Sequence, residues 1–168
     1  MQPFWGLVRG LSVRGSDSEI HDSEIYAGLK DDLVRYAAAL VGPDAAGDVV
    51  STVVVRVLST GSLSDLSEPR PYLFRGVLNE ATSTKRRAQR QIASSSAEVV
   101  QDEPNIHPEV MMAVLGLPVQ QRAVTYLVYW AGHTIAETAD LMGLGEGTVK
   151  RYLSLARTTL KGVLHART

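Results

Sequence analysis

Apolar positions recur at three- and four-residue intervals in three blocks between residues 22 and 90. The first block predicts a helix that Asp22 or Ser23 can cap and that Gly42-Pro43 ends, because glycine accepts a left-handed turn and proline cannot continue the hydrogen-bond ladder. Asp44 can cap the second. The body of that second helix, VVSTVVVRVL, is β-branched at seven of ten positions (Val49, Val50, Thr52, Val53, Val54, Val55, Val57), residues that singly favour a strand. Ala46, Val49, Val50, Val53 and Val57 nonetheless fall at offsets 0, 3, 4, 7 and 11, one face of a helix. Residues 59–68 read as loop by composition, and Pro69-Arg70-Pro71 then opens a third helix with Phe74, Val77, Leu78 and Ala81 on its apolar face.

Residues 91–106 contain SSS and QDEP and have no apolar face, which predicts a linker. Beyond it, Leu117-Pro118 opens a helix with Val124, Leu127 and Val128 on one side that stops near Gly132; Thr134 caps a short helix to Met142; residues 143–145 turn the chain into a last helix. On this last helix Val149, Leu153, Ala156 and Leu160 form a stripe to be buried, and Lys150, Ser154, Arg157 and Lys161 repeat the same spacing one residue later, about 100 degrees round the cylinder. That layout is a helix-turn-helix with its polar, cationic face offered outward; a plain helical hairpin with a solvated basic face has the same pattern. The first turn, Glu146, Gly147 and Thr148, supplies backbone amides that suit a phosphate. Residues 1–21 carry Phe4, Leu7, Val8 and Leu11 among three glycines and read as an extension, either frayed or forming a turn for a partner. The fold expected is all-α: two small helical domains, 22–90 and 111–168, joined by a flexible linker at 91–110, the C-terminal domain a helix-turn-helix.

Charge changes this picture more than composition does. A formal net charge of -1 over 168 residues hides strong segregation. Residues 1–69 hold five Lys/Arg against ten Asp/Glu, and 91–144 hold one against six. Between these blocks, residues 70–90 hold six cations (Arg70, Arg75, Lys85, Arg86, Arg87, Arg90) against Glu80 alone, and from Gly145 onward five oppose Glu146. Each cluster ends a helical pattern, which points to a polyanion met at two places rather than to solvated helix surface. With no cysteine and four scattered histidines, neither a disulfide framework nor a metal site is expected, and no cofactor. No Ser-His-Asp order, paired-carboxylate motif or Walker-type phosphate loop is present, so an enzyme is not expected. The start lacks a basic n-region, and no stretch approaches the roughly 18 apolar residues of a membrane span, so the expected location is cytoplasmic.

LPVQQRAVTYLVYWAGHTIAETADLMGLGEGTVKRYLSLARTTL resembles region 4 of the extracytoplasmic-function (ECF) sigma factors, which run LP-x-x-QR, an apolar helix, A-E-x-A-x-x-[LM]-G and [ST]-E-G-T-V-K. Upstream, the Gly42-Pro43-Asp44 break, Asp48, Arg56-Val57 and PRPYLFRGVLN followed by KRR resemble region 2 of the same family. The resemblance implies a bacterial transcription initiation factor that docks on core RNA polymerase and selects promoter DNA. It assigns the polymerase contact to Asp48, Ser51, Thr52 and Arg56. It assigns the minus-ten element to Asn79, Ser83, Lys85, Arg86 and Arg87, with the 59–68 loop capturing an unstacked base, and the minus-thirty-five element to Thr134, Glu146, Gly147, Thr148, Lys150, Arg151, Ser154 and Arg157. An anti-sigma factor is a further implied partner.

The sequence departs from the family pattern at Ser51-Thr52, where Gln-Glu is usual, at Val54, where an aromatic is usual, at Ser83, where Asp is usual, and at Arg151-Tyr152, where Ser-Arg is usual. These departures leave open a degenerate relative that binds DNA without initiating, or that binds an anti-sigma partner as a decoy; a stand-alone helix-turn-helix regulator would need only the last part of the chain.

Overall fold

The computed structural model describes residues 16–92 and 108–165, all of its elements helical: α1 (Ser16–Val41), α2 (Pro43–Thr60), α3 (Pro69–Ile92), α4 (Pro108–Leu115), α5 (Val119–Tyr129), α6 (Ile135–Met142) and α7 (Glu146–His165). The linker proper and the apolar residues near the start, Phe4 to Leu11, lie outside the described residues.

The valine-rich segment is a helix, and the reason is burial. Ala46, Val49, Val50, Val53, Val54 and Val57 of α2 are buried between α1 and α3. Removing that continuous apolar face from water outweighs the few tenths of a kcal/mol by which each β-branched residue disfavours a helix. Close approach finishes the packing: a Cβ on Gly76 of α3 would stand 2.6 Å from Val53 Cγ1, so only glycine lets the two backbones meet there.

Three expectations need correction. Helix α1 begins at Ser16, so neither Asp22 nor Ser23 caps it; Asp22 lies inside the helix and is buried. Asp44 does not cap α2, which has Gly42 at its N-cap with no side-chain cap; Asp44 sits in the first turn, where its charge favours the helix dipole. Helix α4 stands where the pattern predicts only chain leading to Leu117, with Ala113 and Val114 buried and the α4 helix packed on α7.

The two helical units, α1–α3 and α4–α7, pack on each other through α1 and α3 against α5 and α6. Tyr36, fully buried, joins them: its ring centroid lies 5.0 Å from that of Phe74 and 5.9 Å from that of Tyr126. Beside it the buried Arg122 donates from Nε to Leu117 O at 2.9 Å and from Nη1 to Leu40 O, in the last turn of α1. Leu40 O is one of the carbonyls a helix end leaves without an intrahelical partner, so the guanidinium serves as a C-cap delivered from the other unit. On the α1 side, Asp32 accepts from Arg35 at 2.7 Å and from Arg70 at 3.0 Å; burial raises its pKa, and these arginines outweigh it, so the net shift is downward.

Candidate nucleic-acid interface

The helix-turn-helix is α6 and α7. Thr134 opens α6 with a capping box: its hydroxyl accepts from Glu137 N at 3.2 Å, and its own amide donates to Glu137 Oε2 at 2.7 Å. Those bonds hold the Glu137 carboxyl below its ordinary pKa. The helix closes in a Schellman motif, with Leu144 N bonded to Ala139 O at 2.9 Å and Gly143 N to Asp140 O at 3.2 Å. Gly143 holds φ 67, and a Cβ there would also meet Arg75 Cδ of α3 at 2.7 Å. The turn is therefore specified by its own backbone, the positive φ that favours glycine.

Helix α7 divides as its spacing demands. Val149, Leu153 and Ala156 are buried and Leu160, expected in the same stripe, is half-buried, whereas Lys150, Arg151, Ser154, Arg157 and Lys161 are exposed. Lys150 lies 3.5 Å from Glu146 one turn back. Glu146 and Gly147 are exposed at the helix start and Thr148 is half-buried. Tyr152 is half-buried against the core, which explains why a cation does not stand there. Thr134 is exposed, but its hydroxyl is committed to the cap. The sequence pattern does not reveal Tyr129: its hydroxyl accepts from Arg157 Nε at 2.7 Å and the guanidinium carbon lies 5.7 Å from its ring centroid, so an exposed aromatic on α5 aims the cation on α7.

On α3, Asn79, Ser83 and Arg86 follow one another at four and three residues, and Arg87 lies four beyond Ser83, so they share a face; Asn79, Arg86 and Arg87 are exposed and Ser83 half-buried. Lys85 is half-buried and its pKa is lowered by burial and then by the charge of Arg122. Glu80, buried, receives two of the assigned residues at once: Arg56 of α2 at 3.0 Å and Arg87 at 3.6 Å. The polymerase-assigned and minus-ten-assigned sets are thus tied together through one carboxylate. Asp48, Ser51 and Thr52 line the outer face of α2, all exposed, and Val55 continues that face at 62% exposure, a residue the pattern places in no set.

Between α2 and α3, the loop is 61–68 rather than the expected 59–68, because α2 runs on to Thr60, and it is held from α1. Ser62 donates its hydroxyl to Asp22 Oδ1 at 2.5 Å and Ser64 its amide to the same oxygen at 2.9 Å. Burial pushes the Asp22 carboxyl up, and the bonds from Ser62 and Ser64 outweigh it, so its pKa lies below the ordinary aspartate value. Among the described residues no group of side chains could hold a metal ion, and no helix is long and apolar enough to cross a membrane.

Residues 107–160 match the family described as sigma-70, region 4. Among curated proteins, ECF RNA polymerase sigma factor SigM of Mycobacterium tuberculosis, in two strains, is 44% identical over 55 residues, a match that spans 33% of this chain and 28% of the relative's length. Among solved structures, the sigma factor RpoE in complex with the anti-sigma factor NepR from Bartonella quintana superposes with a TM-score of 0.66 at 23% identity, over 85% of this chain and 96% of that one. CnrH in complex with the cytosolic domain of CnrY gives 0.62 at 22%, over 89% and 91%. Residues 107–160 are thus similar in sequence to sigma-70 region 4 and to part of SigM, and the chain shares its fold with RpoE and CnrH.

Proposed function

We propose that this chain is a transcription initiation factor that binds core RNA polymerase and directs it to promoters, with α7 in the major groove of the minus-thirty-five element and α3 with the 61–68 loop at the minus-ten element. The observation that carries the reading is the division of α7, a sealed apolar stripe beside an exposed row of Lys150, Ser154, Arg157 and Lys161, in a segment that matches region 4. Phosphate contacts from such a row supply salt-dependent affinity, and a few side chains on base edges supply choice. Arg86 and Arg87 belong to the other basic cluster, at 70–90, suited to a separated strand. The outer face of α2, Asp48, Ser51, Thr52 and Val55, is the surface for the polymerase. RpoE and CnrH were each solved with a bound partner, which supports an anti-sigma partner here as well, and the working location is the cytoplasm, on the nucleoid.

The test is reconstitution of the full chain with core polymerase and a promoter library, scored by permanganate reactivity of unpaired thymines around the minus-ten element. Wild type should open a subset of promoters, and Arg86→Ala with Arg87→Ala should abolish opening. A second reading rests on the α2 face, where Ser51 and Thr52 follow Asp48: a relative that binds promoter DNA and never joins the polymerase. Wild-type binding to promoter duplex without association to core polymerase would select it.

A further inference from the structure

The loop 61–68 has two sides. Toward the protein, Leu63 is fully buried and Ser62 nearly so; toward solvent, Ser64, Asp65, Ser67 and Glu68 are exposed. Its backbone closes on itself through Asp65 N to Ser62 O at 3.3 Å and Leu66 N to Leu63 O at 3.2 Å. Beyond its apolar anchors, Leu63 and Leu66, this turn is tied to the fold through one oxygen. Asp22 Oδ1 accepts from the Ser62 hydroxyl and from the Ser64 amide, the Ser62 and Ser64 hydroxyls lie 2.5 Å apart, and Ser18 Oγ adds a contact to Ser62 at 3.3 Å. Among the described residues no cation pairs with Asp22; its partners are hydroxyls and amides of the loop. A buried carboxylate is costly to desolvate unless its bonds are made, so the loop and the carboxylate each require the other in place.

We propose that Asp22 is a positioning residue for base selection: from inside α1 it fixes the loop in the single form whose exposed edge receives an unstacked base. The inference rests on the proposed minus-ten role of this loop. Capture of a flipped base depends on a pocket held to within about half an ångström by groups that do not themselves touch the base. Asp22 is such a group, since it is itself buried and holds the loop by the Ser62 hydroxyl and the Ser64 amide. A loop released from it would still be tethered by Leu63 but would sample several shapes, and a pocket averaged over shapes discriminates poorly.

The experiment uses the reconstituted holoenzyme and a single-stranded DNA library randomised over the minus-ten region, with enrichment read at each position. Wild type should favour one base by about tenfold or more at the captured position. Asp22→Ala should bring that preference to within about twofold while leaving core-polymerase affinity and minus-thirty-five duplex affinity unchanged. Asp22→Asn should keep most of it, because the amide oxygen can accept both loop bonds. Selection by wild type that survives Asp22→Ala overturns the inference alone, as does an Asp22→Asn variant that falls as far as Asp22→Ala, or a parallel loss of duplex affinity that marks general destabilisation. Absence of selection by wild type overturns the base-capture reading beneath it. Should Asp22→Ala fail to fold by circular dichroism, Ser62→Ala removes the hydroxyl from the loop side; an undiminished preference there overturns the inference equally.

Discussion

The two units present their assigned residues in opposite ways. In α4–α7 the framework is closed by local backbone devices, the capping box at Thr134 and the Schellman turn at Gly143, and the cations of α7 stand outside it. In α1–α3 the assigned residues are themselves part of the framework: Arg56 and Arg87 neutralise the buried Glu80, and the 61–68 loop hangs on Asp22. The difference teaches that the same kind of surface can be separable from stability in one place and inseparable from it in another.

The largest effect should come from breaking the local framework of the C-terminal unit. Gly143→Val forces a β-branched residue into the left-handed region, which should cost about 3 kcal/mol and lower the Tm by several degrees. Gly145→Ala, which meets nothing within 4 Å, should change little in the same melt. Equal losses for the two would show that the turn is not what holds α6 to α7.

Next in size is the contrast between arginine pairs. Arg56→Ala with Arg87→Ala leaves Glu80 buried without its cations and should cost about 1–2 kcal/mol, held down because the guanidinium heads are more than half exposed. Lys150→Ala with Arg151→Ala should shift stability by less than about 0.5 kcal/mol, yet lower the salt slope of duplex binding by roughly 0.9 for each phosphate that is no longer neutralised. Denaturant melts and binding titrations across salt decide it; comparable stability losses would erase the distinction between the units.

Smaller still is Tyr36→Phe. The Tyr36 hydroxyl is buried without a hydrogen-bond partner among the described residues, so its removal should be neutral or stabilise by about 1 kcal/mol, where Tyr36→Ala would cost several. A marked loss of stability in the phenylalanine variant would mean the hydroxyl is satisfied in solution. The mildest signal is acid titration. Asp22 and Asp32 have lowered pKa values, so the stability they add is present above the ordinary aspartate value near about 3.9 and is lost as pH falls through their lower folded values. The Ser64 amide resonance should therefore titrate with a midpoint below about 3.9; a midpoint above it would contradict the loop bonds.

These contrasts also explain what can be read from sequence. The α7 stripe, the capping threonine, the glycine turn and the helical face of the valine run are legible because each is a relation between residues a few positions apart. Asp22 misleads for the opposite reason: beside Ser23 it has the signature of a cap, but its partners lie 40 and 42 residues away and win over its own helix. The joint hold on Glu80 by residues from two helices, and the grip of Tyr129 on Arg157 across 28 residues, leave no mark on periodicity. Helix α4 goes unannounced because its eight residues, PEVMMAVL, follow a polar stretch and are too few for a repeating pattern to declare itself.

Arg122 gives the join between the units an unusual temperament. An apolar seam resists parting in proportion to the oily surface it must wet, and an ion pair resists by leaving two charges bereft. A guanidinium lodged between two carbonyls does neither: parting the units breaks the bond to Leu40 O and hands the cation back to water, whose welcome for it is strong, while Leu117 O stays within reach on its own side. Such a clasp sets the angle at which the units meet, and the apolar packing around Tyr36 is what holds them closed.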